Sequence, residues 1–71
     1  MDKQSIAYNL KQIVKKSGLK QYVVAEKCGY SPKTFNNLLN GRKVINEEDI
    51  LKICNGIGVT PDKLFGFEKI A

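Results

Sequence analysis

One helix stops and another starts within the five residues Cys28-Gly29-Tyr30-Ser31-Pro32, and no other stretch constrains the fold of this chain so tightly. Gly29 stands where a helix end prefers a left-handed residue. Ser31 is an N-cap residue type, and Pro32 follows at the position where proline suits the first helical turn. Upstream, Val24, Ala25 and Cys28 share one face of a helix over about residues 21–28. Downstream, Phe35, Leu38 and Leu39 share one face of a helix that runs to about Asn40 and ends at Gly41. Two helices joined by a glycine-centred turn of about three residues carry the mark of a helix-turn-helix motif.

The rest of the chain repeats the same punctuation. A first helix over roughly residues 3–17 places Ile6, Leu10, Ile13 and Val14 at helical spacing, capped by Asp2 or Ser5 and stopped by Gly18. Asn46 caps a fourth helix, and Glu47, Glu48 and Asp49 crowd its first turn, where the helix dipole favours negative charge. Its inner stripe is Ile50, Ile53, Cys54 and Ile57, and Gly58 stops it. Gly56 inside it either permits close packing or marks a frayed end. Thr60-Pro61-Asp62 starts a short fifth helix carrying Leu64 and Phe65. No strand-like alternation of useful length occurs. The expectation is an all-α fold, a compact five-helix bundle forming one domain over residues 1–71, with a core over about 4–65 and a short tail at 66–71.

The exposed face of the third helix is unusual. At about 100° per residue, Lys33, Asn36, Asn37 and Asn40 share a stripe opposite Phe35, Leu38 and Leu39. That stripe offers one cation and three carboxamides, and no carboxylate. Carboxamides pair bidentately with adenine N6/N7, and lysine donates to guanine O6/N7. Charge distribution points the same way. Residues 1–43 hold nine basic and two acidic groups, whereas residues 44–71 hold three basic and five acidic ones. A cationic end suits a surface that meets phosphates, although a solubilising lysine-rich surface has the same composition.

Other chemistries find little support. The chain has two cysteines and no histidine, too few ligands to close a tetrahedral zinc site within one chain. Cys28 and Cys54 fall in apolar stripes, where thiols are usually inert. There is no glycine-rich phosphate loop and no nucleophile–base pair, so an enzyme is not expected, nor is a cofactor or small-molecule ligand. No apolar run reaches membrane-spanning length, and a reducing cytoplasm is the expected compartment.

The order and spacing of several short motifs resemble the lambda-repressor-like (Cro/repressor, XRE-type) helix-turn-helix family. They are Gly18-Leu19-Lys20-Gln21, Val24-Ala25, Gly29, Ser31-Pro32-Lys33-Thr34-Phe35, Leu38, Asn40-Gly41-Arg42, Ile50, Ile53, Ile57-Gly58-Val59 and Pro61-Asp62-Lys63-Leu64, spread over about residues 4–65. The resemblance implies a five-helix bundle whose third helix enters the DNA major groove. By position it assigns Ser31, Pro32, Lys33 and Asn37 to bases, with Asn36 added by the stripe itself. Gln21, Thr34, Asn40, Arg42 and Lys43 then face the phosphate backbone, with Lys20 or Tyr30 as further candidates. Two residues depart from the family pattern. Leu39 stands where an acidic residue is usual, and Glu47 stands where an apolar one is usual, leaving Val44 or Ile45 to fill that part of the core.

These readings together describe a sequence-specific regulator of double-stranded operator DNA, most simply a repressor acting by occlusion. One reading helix spans few base pairs, so a homodimer is expected, with Phe65, Phe67 and Ile70 as the contact. The competing reading is an antitoxin or anti-repressor that uses this fold to bind protein. Such a module would carry apolar anchors on its exposed third helix, where this chain has Lys33, Asn36 and Asn37.

Overall fold

The computed structural model describes residues 5–67, and among these every regular element is a helix. The chain runs α1 (Ile6–Ser17), α2 (Gln21–Cys28), α3 (Pro32–Leu39), α4 (Glu47–Ile57) and α5 (Pro61–Phe65). Ser5 caps α1, its Oγ accepting from the Tyr8 N–H at 3.0 Å. Because Ser5 is extended, the helix begins at Ile6 rather than near residue 3; Asp2 lies outside the described residues. Ser31, Asn46 and Thr60 each cap their helix by accepting an amide three residues on.

Leu10, Val24, Phe35, Leu38, Ile53 and Leu64 are wholly buried and meet at the centre. The two family departures resolve here. Leu39 is buried and shares surface hollows with Lys11, Gln12 and Val14 of α1, so it takes a core place where an acid would be costly. Ile45 packs against the core beside exposed Glu47, whereas Val44 is 84% exposed and fills nothing.

Helices α2 and α4 approach closely, and Gly56 is the reason they can. A Cβ there would lie 2.7 Å from Cys28 Cα and 2.8 Å from both Cys28 Sγ and the Lys27 carbonyl oxygen. Two of those atoms are backbone and cannot swing aside. Gly56 therefore marks close packing, and α4 continues through it to Ile57.

Two buried polar side chains hold distant segments. Asn9, 1% exposed, donates its amide to the Leu64 carbonyl at 2.8 Å and ties α1 to α5. Asp49, 5% exposed, sits in the first turn of α4 and gathers donors from three places. Asn46 N–H donates to it at 3.1 Å and Lys43 Nζ at 3.3 Å, while the Tyr30 hydroxyl donates at 2.5 Å. Asp49 N–H in return donates to Asn46 Oδ1 at 2.9 Å, completing a capping box. Burial pushes the Asp49 carboxyl up, but the hydrogen bonds from Tyr30, Asn46 and Lys43 outweigh it and hold the group below the usual carboxylate range.

Two predictions follow from this packing. Gly56→Ala gains about 1 kcal/mol of helix propensity yet is expected to destabilise the domain by roughly 2 kcal/mol through overpacking. A urea midpoint equal to or above that of the parent would show that α2 and α4 have room to spare. Because the folded-state carboxyl of Asp49 is depressed, its contribution is full above the unfolded value of about 3.9 and is lost as pH falls through the lower folded value. Asp49→Asn is therefore expected to cost about 2 kcal/mol at pH 7. The gap in urea midpoint from the parent should close as pH drops below 4; a constant gap would contradict the assignment.

Candidate nucleic-acid interface

The N-terminus of α3 is built by its own sequence. Pro32 opens the helix, and Ser31 caps it, its Oγ accepting from the Thr34 N–H at 3.2 Å and donating to Thr34 Oγ1 at 3.0 Å. Ser31 and Thr34 are thus engaged with each other at the mouth of the helix. Both remain at the surface, Ser31 exposed and Thr34 half-buried.

The polar stripe divides into two kinds of residue. Asn36 Oδ1 accepts from Gln21 Nε2 at 3.1 Å and from Asn40 Nδ2 at 3.1 Å. Asn40 Nδ2 also donates to the Asn36 carbonyl at 2.9 Å, and Lys11 Nζ reaches Asn40 Oδ1 at 3.5 Å. This network joins α1, α2 and α3 across their exposed faces. Lys33 and Asn37 stand outside it. Lys33 is exposed and Asn37 half-buried, one helical turn apart, and neither side chain has a hydrogen-bond partner among the described residues.

After α3 the chain turns sharply. Gly41 takes φ +75° and donates to the Leu38 carbonyl at 3.3 Å, while Arg42 N–H donates to the Asn37 carbonyl at 2.9 Å. This paired closure is a Schellman motif, and it fixes Arg42 directly beyond the stripe. Arg42 is exposed with no ion pair to a described residue. Lys43 is held instead by Asp49 at 3.3 Å.

Tyr30 serves the turn as a brace. Its ring lies 6.0 Å from the Phe35 ring, Lys52 Nζ sits 4.1 Å above its centroid, and its hydroxyl is committed to Asp49. Burial and the adjacent carboxylate push its phenol well above the usual range. The hydroxyl expected as a further phosphate donor is therefore occupied within the fold. Lys20 is exposed at the N-cap of α2, where it makes no side-chain capping bond.

Sequence reasoning missed Lys11 and Asp49. Lys11 carried no local signal, because its partner lies 29 residues away. Asp49 did carry one, since Asn46-x-x-Asp49 is a capping-box spacing, but the tyrosine and lysine that converge on it are not visible locally. Of the residues expected at a dimer contact, Phe65 is 40% and Phe67 80% exposed, with ring centroids 6.1 Å apart. Leu64, not Phe65, closes the core at this end. Ile70 lies outside the described residues.

No metal-binding group of three or more histidine, cysteine or acidic side chains occurs among the described residues. Cys28 and Cys54 are free thiols, and burial raises both above their ordinary value. Among the described residues no helix is long and apolar enough to cross a membrane. Residues 6–64 match the family described as helix-turn-helix domain. No curated protein matches the chain with significance. The match spans all but the ends of the chain and coincides with the α2–turn–α3 unit and its supporting helices: the protein belongs to the helix-turn-helix domain family.

Proposed function

We propose that this protein is a sequence-specific double-stranded DNA-binding regulator of the lambda-repressor-like type, a repressor that reads the major groove with α3. The observation that carries the reading is the division of the α3 stripe. Asn36 and Asn40 are bonded to each other and to neighbouring helices, while Lys33 and Asn37 keep their donors and acceptors for an outside partner. In this reading Asn37 pairs with adenine and Lys33 with guanine. Ser31, Pro32 and the free amide hydrogens of Asn36 border them. Gln21, Thr34, Asn40 and Arg42 hold the phosphates, and Lys11 joins this set through its place beside Asn40. Lys43 contributes its charge while remaining paired to Asp49.

The protein acts in this proposal as a cytoplasmic binding module and not as an enzyme. It pairs with a second copy through Phe65 and Phe67, setting two reading helices about 34 Å apart, one turn of DNA. The two exposed rings, tilted at 56° to each other with centroids 6.1 Å apart, are what support that surface.

Selection of bound sequences from random DNA at fixed salt is expected to yield a two-fold motif; no enrichment would remove the DNA reading. Asn37→Ala should relax preference at one base position per half-site by roughly 1–3 kcal/mol and leave the salt slope unchanged. Arg42→Ala should instead weaken binding to all sequences and lower the salt slope by about one. Phe67→Ser should keep the thermal midpoint, since the side chain is almost wholly exposed, yet abolish cooperative occupation of paired half-sites. Sedimentation of the parent as a monomer both free and on operator DNA would refute the pairing.

A further inference from the structure

Away from α3 the surface carries a recess that the DNA reading does not use. It is a groove of about 390 Å³ between the end of α1, the middle of α2, the end of α4 and the start of α5. No residue of α3 or of the segment between α3 and α4 lines it. Its apolar wall includes Leu19, Val24, Ile57 and Val59. Leu19 is a large aliphatic side chain left substantially exposed at the edge.

Three lysines from three different helices surround this wall: Lys16 of α1, Lys27 of α2 and Lys63 of α5. No aspartate or glutamate lines the groove. None of the three lysines has an ion pair with a described residue. Lys63 is half-buried where it lines the groove, and a lysine so placed can add its aliphatic stem to an apolar wall.

We propose that this groove binds a free amphipathic carboxylate, an aliphatic or aromatic acid of modest size. Its apolar body lies against Leu19, Ile57 and Val59, with wholly buried Val24 behind them, and its carboxylate is held among Lys16, Lys27 and Lys63. The volume falls within the range of small-molecule sites. Cations from three helices, with no acidic side chain among the described residues of the lining, favour an anion and raise its local concentration. Exposed ion pairs contribute little singly, so the apolar wall must supply part of the affinity, and a purely polar anion gains nothing from it. Nucleic acid phosphate lacks the apolar body this wall calls for. The proposal does not rest on the DNA reading, and its test needs no DNA.

The test is an amide-resolved NMR titration of the full chain with octanoate, kept below its micelle concentration. Saturable shifts are expected at Leu19, Val24, Ile57, Val59 and Lys63, with Lys33 and Asn37 unmoved. Octanol and octylammonium are expected to bind at least tenfold more weakly, as is butyrate. The double variant Lys27→Glu with Lys63→Glu should weaken octanoate at least tenfold with its thermal midpoint near that of the parent. Non-saturating or scattered shifts would overturn the proposal. So would octylammonium binding as well as octanoate, or unchanged affinity in the double variant. If that variant fails to fold, the octanoate and octylammonium comparison on the unmodified chain decides.

Discussion

The carboxylate of Asp49 is the interaction on which the placement of the helix-turn-helix depends. An ionised carboxylate can be buried only if donors surround it, and here they come from the α4 N-terminus, the α3–α4 connector and the turn before α3. Its cost of burial is thereby converted into a positional constraint. Tyr30 cannot leave without depriving Asp49 Oδ1 of its donor, and Tyr30 packs on Phe35, the largest wholly buried side chain of α3. The placement of α3 is thus set from behind by a charged group that is almost wholly buried. Lys43 is drawn into the same arrangement, its ammonium held by that carboxylate.

Close packing of α2 on α4 supplies the other half of the support. Gly56 lets α4 press against the Cys28 backbone, which keeps the end of α2, and so the start of the turn at Gly29, in place. Support by backbone proximity and support by buried charge are complementary. The first fixes separation without direction, and the second fixes direction through hydrogen-bond geometry.

What the sequence made legible was local. Ser31, Thr60 and Asn46 cap as their residue types imply, because the bond involved spans only three residues. Gly18, Gly29 and Gly58 end helices in the left-handed conformation that other residues avoid. The apolar stripes of α1, α3 and α4 were readable as well. Longer-range features were not. Nothing near Asn9 announces a carbonyl 55 residues away, and nothing in the stripe of four polar residues shows that two of them are engaged with Gln21 and Lys11. Identical side chains at 36, 37 and 40 acquire different roles only when neighbouring helices are in place. Tyr30 shows the same limit: nothing beside it in the sequence announces that its hydroxyl donates to a carboxylate 19 residues away.

The bond from Asn9 to the Leu64 carbonyl has a mechanical meaning beyond its modest energy. It closes a loop over most of the domain, from the first helix to the last. Were α5 to lift away, this hydrogen bond would be lost together with the apolar contacts of Leu64, a net cost of about 1 kcal/mol for the bond itself. A five-residue helix that could not persist alone is therefore clasped shut by a residue belonging to the opposite end of the chain. The aromatic pair that follows Leu64 is consequently mounted on a stiff base, and loosening α1 would blunt that surface without altering one atom of it.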